Sequence, residues 1–158
     1  ENVLTTLKVV HNLGIPAFWF WPNVDAGADG TSNGIRSYRE INKPENIHFF
    51  KNMIPEDFLR LLINSKCLVG NSSVGIRECA YLGVPVVNIG TRQNGRARGN
   101  NVVDVSYKED EIKSAILNRI GAKNVIIHET IYGDGNSGEK IADILAAVEL
   151  RFHKTISY

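Results

Sequence analysis

A short segment near the middle of the chain carries side chains that suit a phosphorylated ligand. Ser72 and Ser73 follow an apolar run that ends at Gly70, and Glu78 comes five residues after Ser73. Hydroxyl groups and the first amide groups of a helix donate well to phosphate oxygens. A carboxylate about one and a half turns further on could accept both hydrogen bonds of a sugar diol. The spacing therefore points to a diphosphate beside a diol, as in a nucleotide.

Neither the pair of serines nor Glu78 identifies a nucleotide-binding site by itself. The turn matches neither the GxGxxG nor the GxxxxGK[ST] pattern of nucleotide-binding loops. Glu78 could equally be a solvated helix residue or the partner of Arg77. The hypothesis gains from Arg92, which follows the next apolar run and would bring a cation to the same place. Arg96 and Arg98 extend this segment into a mobile cationic loop suited to a polyanion, with solvated surface arginines as the alternative.

The residues around the serines predict a βαβ unit. Apolar runs at 67–69 and 84–89 indicate buried strands, and residues from about 74 to 82 indicate one helix between them. In such a unit the turn after the first strand lies at the carboxyl edge of the sheet, where α/β proteins bind their ligands. This turn, residues 70–73, is called the serine turn below and is thus predicted to be part of a binding site.

Two further loops are predicted to reach the same edge. Asn23 follows the apolar run 15–21, which we expect to be a strand buried on both faces, its tryptophans in the core rather than in a platform for bases. For Asn23 and Asp25, a ligand role and simple turn hydrogen bonds are equally supported. Met53 follows a predicted strand at 47–50, where backbone groups could face a base, although a packing methionine is the commoner case.

Helical patterns alternate with apolar runs along the whole chain. Helices are predicted at about 1–13, 31–41, 55–65, 108–120 and 139–150, and a further strand at 101–105. Residues 125–127 form an apolar run too short to classify. Short connections and alternating elements predict one α/β domain with a doubly wound parallel sheet of five or six strands. The first helix begins without a capping residue, so we expect a cut chain.

The composition excludes several classes of function. The 158 residues include 18 basic and 17 acidic ones, for a formal net charge of +1, so a nucleic-acid partner is not expected. No apolar run reaches the roughly 18 residues of a membrane span, and the start lacks a signal peptide, so we expect no membrane partner and a soluble, cytoplasmic protein. Cys67 and Cys79 lack a CxxC spacing and the four histidines are scattered, so we expect buried cysteines and neither metal nor cofactor.

Two longer strings resemble a known enzyme family. Residues 70–78, GNSSVGIRE, and residues 82–93, LGVPVVNIGTRQ, closely resemble the UDP-N-acetylglucosamine 2-epimerase family. The resemblance is greatest to its hydrolysing branch, which makes N-acetylmannosamine and UDP for sialic-acid-type sugars. Residues 22–27, PNVDAG, and 131–136, IYGDGN, also resemble that branch. Non-hydrolysing members have a DSGG turn followed by QEE, so the NSS and RE of this chain favour the hydrolysing branch.

The resemblance implies a fold, a ligand and a division of roles. Family enzymes consist of two Rossmann-like domains in a GT-B arrangement, and residues 1–158 resemble the second, which binds most of the UDP. The acid and base residues belong to the first domain, and an important histidine precedes the first helix of this chain; His11 is not placed to replace it. The residues that match UDP-site positions are Asn23, Met53, Ser72, Ser73, Glu78 and Arg92.

The family reaction removes the C2 proton of the sugar, eliminates UDP to give a glycal and, in the hydrolysing branch, adds water. The resemblance therefore implies a chain that binds UDP or a UDP-amino sugar but is inactive alone, and a homo-oligomeric full-length protein. Two enzyme alternatives stay open: the second domain of a UDP-sugar glycosyltransferase, and a non-hydrolysing UDP-sugar 2-epimerase. A stand-alone binding or regulatory module is a third.

Overall fold

The structure, a computed structural model, describes residues 2–22, 28–121 and 128–149. Asn23, Asp25 and the apolar run at 125–127 lie outside the described residues. Helices and strands alternate over most of the chain, as the sequence predicts. In chain order the elements are α1 (Asn2–Leu13), β1 (Ala17–Phe20), α2 (Ala28–Asn42), β2 (Ile47–Phe50), α3 (Pro55–Ile63), β3 (Leu68–Gly70), α4 (Ser73–Ile76), α5 (Glu78–Leu82), β4 (Val86–Ile89), β5 (Val102–Val105), α6 (Glu109–Gly121) and α7 (Ser137–Ala147).

All described strand pairs are parallel. Strands β1 and β2 form one sheet, and β3, β4 and β5 form a second in that order, with Gly70 opposite Asn88 and Ile89 opposite Val105. The carboxyl ends of neighbouring strands therefore lie at one edge in each sheet. The five described strands agree with the predicted five or six, although no hydrogen-bonded ladder joins the two sheets within the described residues.

Helices cover both faces of the larger sheet. On one face Val87 and Ile89 of β4 pack against Ile112 of α6, in a cluster that also includes part of α1. On the other face Val86 packs in a cluster with Leu62 of α3 and with residues of α5. Successive strand residues point to opposite faces, so a strand buried throughout needs helices on both sides. This arrangement confirms the predicted doubly wound α/β fold.

The smaller sheet is covered less completely. Trp19 and Trp21 pack onto a buried cluster of Leu7, Ile35 and Ile47, which confirms that the tryptophans belong to the core. Phe18 is 50% exposed, however, and its ring lies 5.5 Å from that of Phe50. The prediction that this strand is buried on both faces is therefore wrong. The physical reason is that the tryptophan face packs in the cluster with residues of α1 and α2, while Phe18 projects from the opposite face.

Both cysteines behave as apolar residues. Burial raises the pKa of Cys67 to about 11 and that of Cys79 to about 12, so both thiols stay protonated at neutral pH. Within the described part of the chain, no group of His, Cys, Asp or Glu side chains is arranged to hold a metal ion. None of the described helices is both long enough and apolar enough to cross a bilayer.

Candidate functional site

The turn after β3 presents hydrogen-bond donors at the edge of the sheet. Ser72 is extended, with φ −71° and ψ 144°, and its hydroxyl oxygen accepts the N–H of Val74 at 3.4 Å, which makes Ser72 the cap of α4. Ser73 is the first residue of that helix, where an amide has no acceptor within the helix. Ser72 is exposed and Ser73 half-buried. Two hydroxyls and a helix-start amide therefore lie together, as the sequence predicts.

The predicted single helix over 74–82 is in fact two short helices. Arg77 lies between α4 and α5 with ψ −73°, compared with about −42° in a regular helix. A helix of four residues has only a small dipole, since the dipole is the sum of aligned peptide units. An anion at this turn would consequently be held by individual amides and hydroxyls rather than by a helix dipole.

Glu78 is the first residue of α5 and carries a buried carboxylate oxygen. Its side chain is half-buried, and the Oε2 atom has no hydrogen-bond partner within the described residues. No ion pair joins Glu78 to the exposed Arg77 in the described part of the chain. A buried acceptor without a donor costs about 1–3 kcal/mol, and more when it is charged. No donor among the described residues satisfies this oxygen, so Glu78 keeps a free acceptor in the ligand-free protein.

The residues after β4 form an arginine loop, which we define as residues 91–100. Because β3 and β4 are parallel neighbours, Arg92 follows β4 at the same edge at which Ser72 follows β3. Gly90 makes the turn into the loop with φ +78°, and a Cβ atom there would overlap the ring of Tyr107. Only glycine fits at this position, and it brings the exposed Arg92 close behind the strand.

The arginine loop is tied to its surroundings by side chains that the sequence reasoning did not select. Gln93 is 2% exposed, and its Nε2 donates to the carbonyl oxygen of Asn71 at 2.8 Å. The Nε of Arg98 lies 2.8 Å from Oδ2 of Asp104, whose Oδ1 accepts from Asn88 at 2.6 Å. Arg98 is thus engaged by the protein, and the bond from Gln93 shows that the loop meets the serine turn.

Met53, a predicted site residue, and His11, which is not one, each contact a protein group. Met53 is half-buried, and its amide donates to the side-chain oxygen of Asn52 at 2.8 Å. A base at this loop would have to use another backbone group or displace that contact. The Nδ1 atom of His11 lies 3.0 Å from the Tyr38 hydroxyl, between α1 and α2.

The candidate site lies at an edge of the larger sheet, and two cavities lie elsewhere in the structure. A cavity of about 570 Å³ lies beside β1 and β2, and one of about 130 Å³ lies between α1 and α6; neither is lined by the serine turn. A ligand is therefore indicated by the chemistry of the serine turn, Glu78 and Arg92 rather than by either cavity.

Comparison with known proteins identifies the family. A family model for UDP-N-acetylglucosamine 2-epimerase matches residues 1–146. The chain is 35% identical over 129 residues to the UDP-N,N'-diacetylbacillosamine 2-epimerase (hydrolyzing) of Legionella pneumophila, over 82% of this chain and 33% of that protein. It is 31% identical over 127 residues to the UDP-N-acetylglucosamine 2-epimerase of Neisseria meningitidis, over 79% of this chain and again 33% of the relative. The chain therefore spans about a third of these relatives.

Solved structures agree with the fold. The UDP-GlcNAc 2-epimerase of Methanocaldococcus jannaschii superposes with a TM-score of 0.65 at 16% identity, over 92% of this chain and 40% of that one. A second structure of that enzyme, in complex with UDP-GlcNAc and UDP, gives a TM-score of 0.60 at 15% identity, over 92% of this chain and 53% of the other. At these identities the likeness shows the fold alone, which is the predicted Rossmann-like type. Because the family model matches residues 1–146 of 158, the chain belongs to the UDP-N-acetylglucosamine 2-epimerase family.

Proposed function

We propose that this chain is the UDP-binding domain of a hydrolysing UDP-N-acetylglucosamine 2-epimerase, which converts a UDP-amino sugar into the free 2-epimer and UDP. The observation that carries the proposal is the carboxylate of Glu78, one oxygen of which has no partner among the described residues, at the start of the helix that follows the serine turn and α4. A nucleoside diphosphate brings what each lacks, namely phosphate oxygens for the donors and a ribose diol for the carboxylate.

Each proposed contact follows from the chemistry of its side chain. The hydroxyls of Ser72 and Ser73 and the Ser73 amide donate to the diphosphate, and Arg92 offsets its charge. Glu78 accepts the hydrogen bonds of the 2′- and 3′-hydroxyls of the ribose. Backbone groups near Met53 are proposed to contact the uracil. Asn23 completes the proposed set on the family resemblance.

In this proposal the chain holds the leaving group. As the bond between the sugar C1 and the phosphate oxygen breaks, negative charge accumulates on the diphosphate, and fixed donors stabilise that charge. The groups that remove the C2 proton and activate water are proposed to belong to the rest of a longer protein. The 158 residues alone should therefore bind UDP without turning over a UDP-sugar.

The names of two relatives support the hydrolysing branch, and the name of a third supports sialic-acid-type sugars. The relatives from Legionella pneumophila and Campylobacter jejuni are both named as hydrolyzing 2-epimerases of diacetylbacillosamine nucleotides, at 35% and 32% identity. A relative from Escherichia coli, 34% identical over 94 residues, is named polysialic acid biosynthesis protein P7. These names support the proposed outcome and sugar class without specifying the substrate of this protein.

A calorimetric titration of the chain with UDP, UMP and uridine tests the binding proposal. UDP should bind most tightly, and Ser73→Ala should lower UDP affinity about two- to tenfold, the range of one ordinary hydrogen bond. Uridine affinity should not change, because uridine has no phosphate. Ser37→Ala, at an exposed position of α2, serves as the control. Absence of UDP binding at millimolar concentration would refute the proposal.

The reaction is tested with the full-length protein and either UDP-N-acetylglucosamine or UDP-N,N'-diacetylbacillosamine. We expect UDP and a free 2-epimeric sugar to form without an acceptor, as followed by proton NMR. Interconversion of UDP-sugars without release of UDP would instead assign the non-hydrolysing reaction. A requirement for an acceptor would favour the glycosyltransferase alternative.

A further inference from the structure

Gln93 is buried in a loop whose neighbouring residues are exposed. Its side chain is 2% exposed, whereas Arg92 and Asn94 on either side are exposed. Nε2 donates to the Asn71 carbonyl at 2.8 Å, while Oε1 is buried and has no partner among the described residues. Burying an amide that leaves one atom unpaired lowers stability, and an apolar side chain of similar size would avoid that cost. The bond to Asn71 is what an apolar side chain could not provide.

This bond orients the peptide group between Asn71 and Ser72, within the serine turn. The carbonyl of Asn71 and the N–H of Ser72 belong to one planar trans peptide, so they point in opposite directions. Holding the carbonyl toward the buried glutamine therefore directs the Ser72 amide away from it. The same contact ties the serine turn to the backbone beside Arg92, which precedes Gln93 in the chain.

We propose that Gln93 is a positioning residue for the diphosphate. It holds the serine turn and the arginine loop in the arrangement that receives phosphate, so the donors need not be ordered when the ligand binds. This inference rests on the proposed function, because it concerns how the same site obtains its affinity. It assigns to Gln93 an effect on phosphate binding without contact to the ligand.

The test compares two apolar variants with a matched amide elsewhere. Gln93→Leu and Gln93→Met both fill the space and remove the donor, so the result does not depend on one packing arrangement. We expect each to lower UDP affinity about three- to tenfold and to leave uridine affinity unchanged. Asn46→Leu is the control, since Nδ2 of Asn46 donates to the carbonyls of Val10 and Ile15 at 3.1 Å, away from the serine turn. It should lower stability but not the ratio of UDP to uridine affinity.

Amide hydrogen exchange in the ligand-free protein supplies a second readout. The Ser72 and Ser73 amides should exchange faster in both Gln93 variants than in the wild type and in Asn46→Leu. Unchanged exchange and an unchanged affinity ratio in a folded Gln93 variant would overturn the inference, and so would an equal change of the ratio in Asn46→Leu. If the wild type binds no UDP, the proposed function fails by itself, and exchange still decides whether Gln93 orders the turn.

Discussion

Replacing Glu78 with glutamine is expected to weaken UDP binding roughly ten- to hundredfold. A hydrogen bond to a charged acceptor contributes about 1.5–3 kcal/mol, and every 1.4 kcal/mol is about tenfold in affinity. Glutamine keeps the shape of the side chain, but one acceptor oxygen becomes an NH₂ group that cannot accept from a hydroxyl. Stability should be maintained or should rise, because the variant replaces a buried carboxylate oxygen that has no partner within the described residues by an uncharged amide atom, which costs less to bury.

A ligand that lacks the diol shows whether this effect has the proposed cause. UDP without its 2′- and 3′-hydroxyls should bind the wild type about as weakly as UDP binds Glu78→Gln. The variant should distinguish the two ligands much less than the wild type does, which is the coupling that a double-mutant cycle measures. Glu56→Gln, in the first turn of α3 and exposed, is the control. If Glu78→Gln discriminates as strongly as the wild type, Glu78 does not bind the diol.

Local sequence patterns predict the helices and strands of this fold better than they predict which residues pack around each of them. The apolar run at 84–89 and the run at 15–21 look alike in the sequence, yet β4 is buried along its length while Phe18 of β1 is 50% exposed. The difference depends on which helices pack on each face, and that is not encoded within either run. Likewise, the apolar periodicity of residues 139–150 predicts a helix, but Ile144 and Leu145 of α7 are 64% and 62% exposed, because periodicity identifies a face and not what covers it.

The candidate site was predictable where it depended on strand order. Ser72 and Arg92 share an edge because parallel strands that are neighbours in a sheet end on the same side. Gln93 could not be identified in this way, since a polar residue beside arginines is usually solvated, and its burial depends on a contact 22 residues away at Asn71. The break at Arg77 was also missed, because arginine is a good helix former and gives no signal for a boundary.

Replacing Gly75 with alanine is expected to affect both stability and ligand binding. Gly75 is buried in α4, and a Cβ atom there would lie 2.9 Å from Cγ1 of Val86 and 3.2 Å from Cδ2 of Leu68. Val86 is 2% exposed and central in the sheet, so it cannot move aside at low cost. Overpacking of this kind costs about 1–3 kcal/mol, whereas alanine returns at most about 1 kcal/mol of helix propensity.

The strain should reach the ligand because α4 begins with Ser73. A helix pushed away from β3 and β4 carries the serine hydroxyl with it, so UDP affinity should fall more than uridine affinity. Gly34→Ala is the matched control, since Gly34 also lies in a helix but its added Cβ would meet Cγ1 of Val3 at an ordinary 3.5 Å. Helix propensity changes similarly in both variants. The difference between the unfolding free energies of Gly75→Ala and Gly34→Ala, about 1–3 kcal/mol, therefore isolates the packing cost. Equal unfolding midpoints in urea for the two variants would show that α4 tolerates a methyl group against Val86, and that this close approach does not position Ser73.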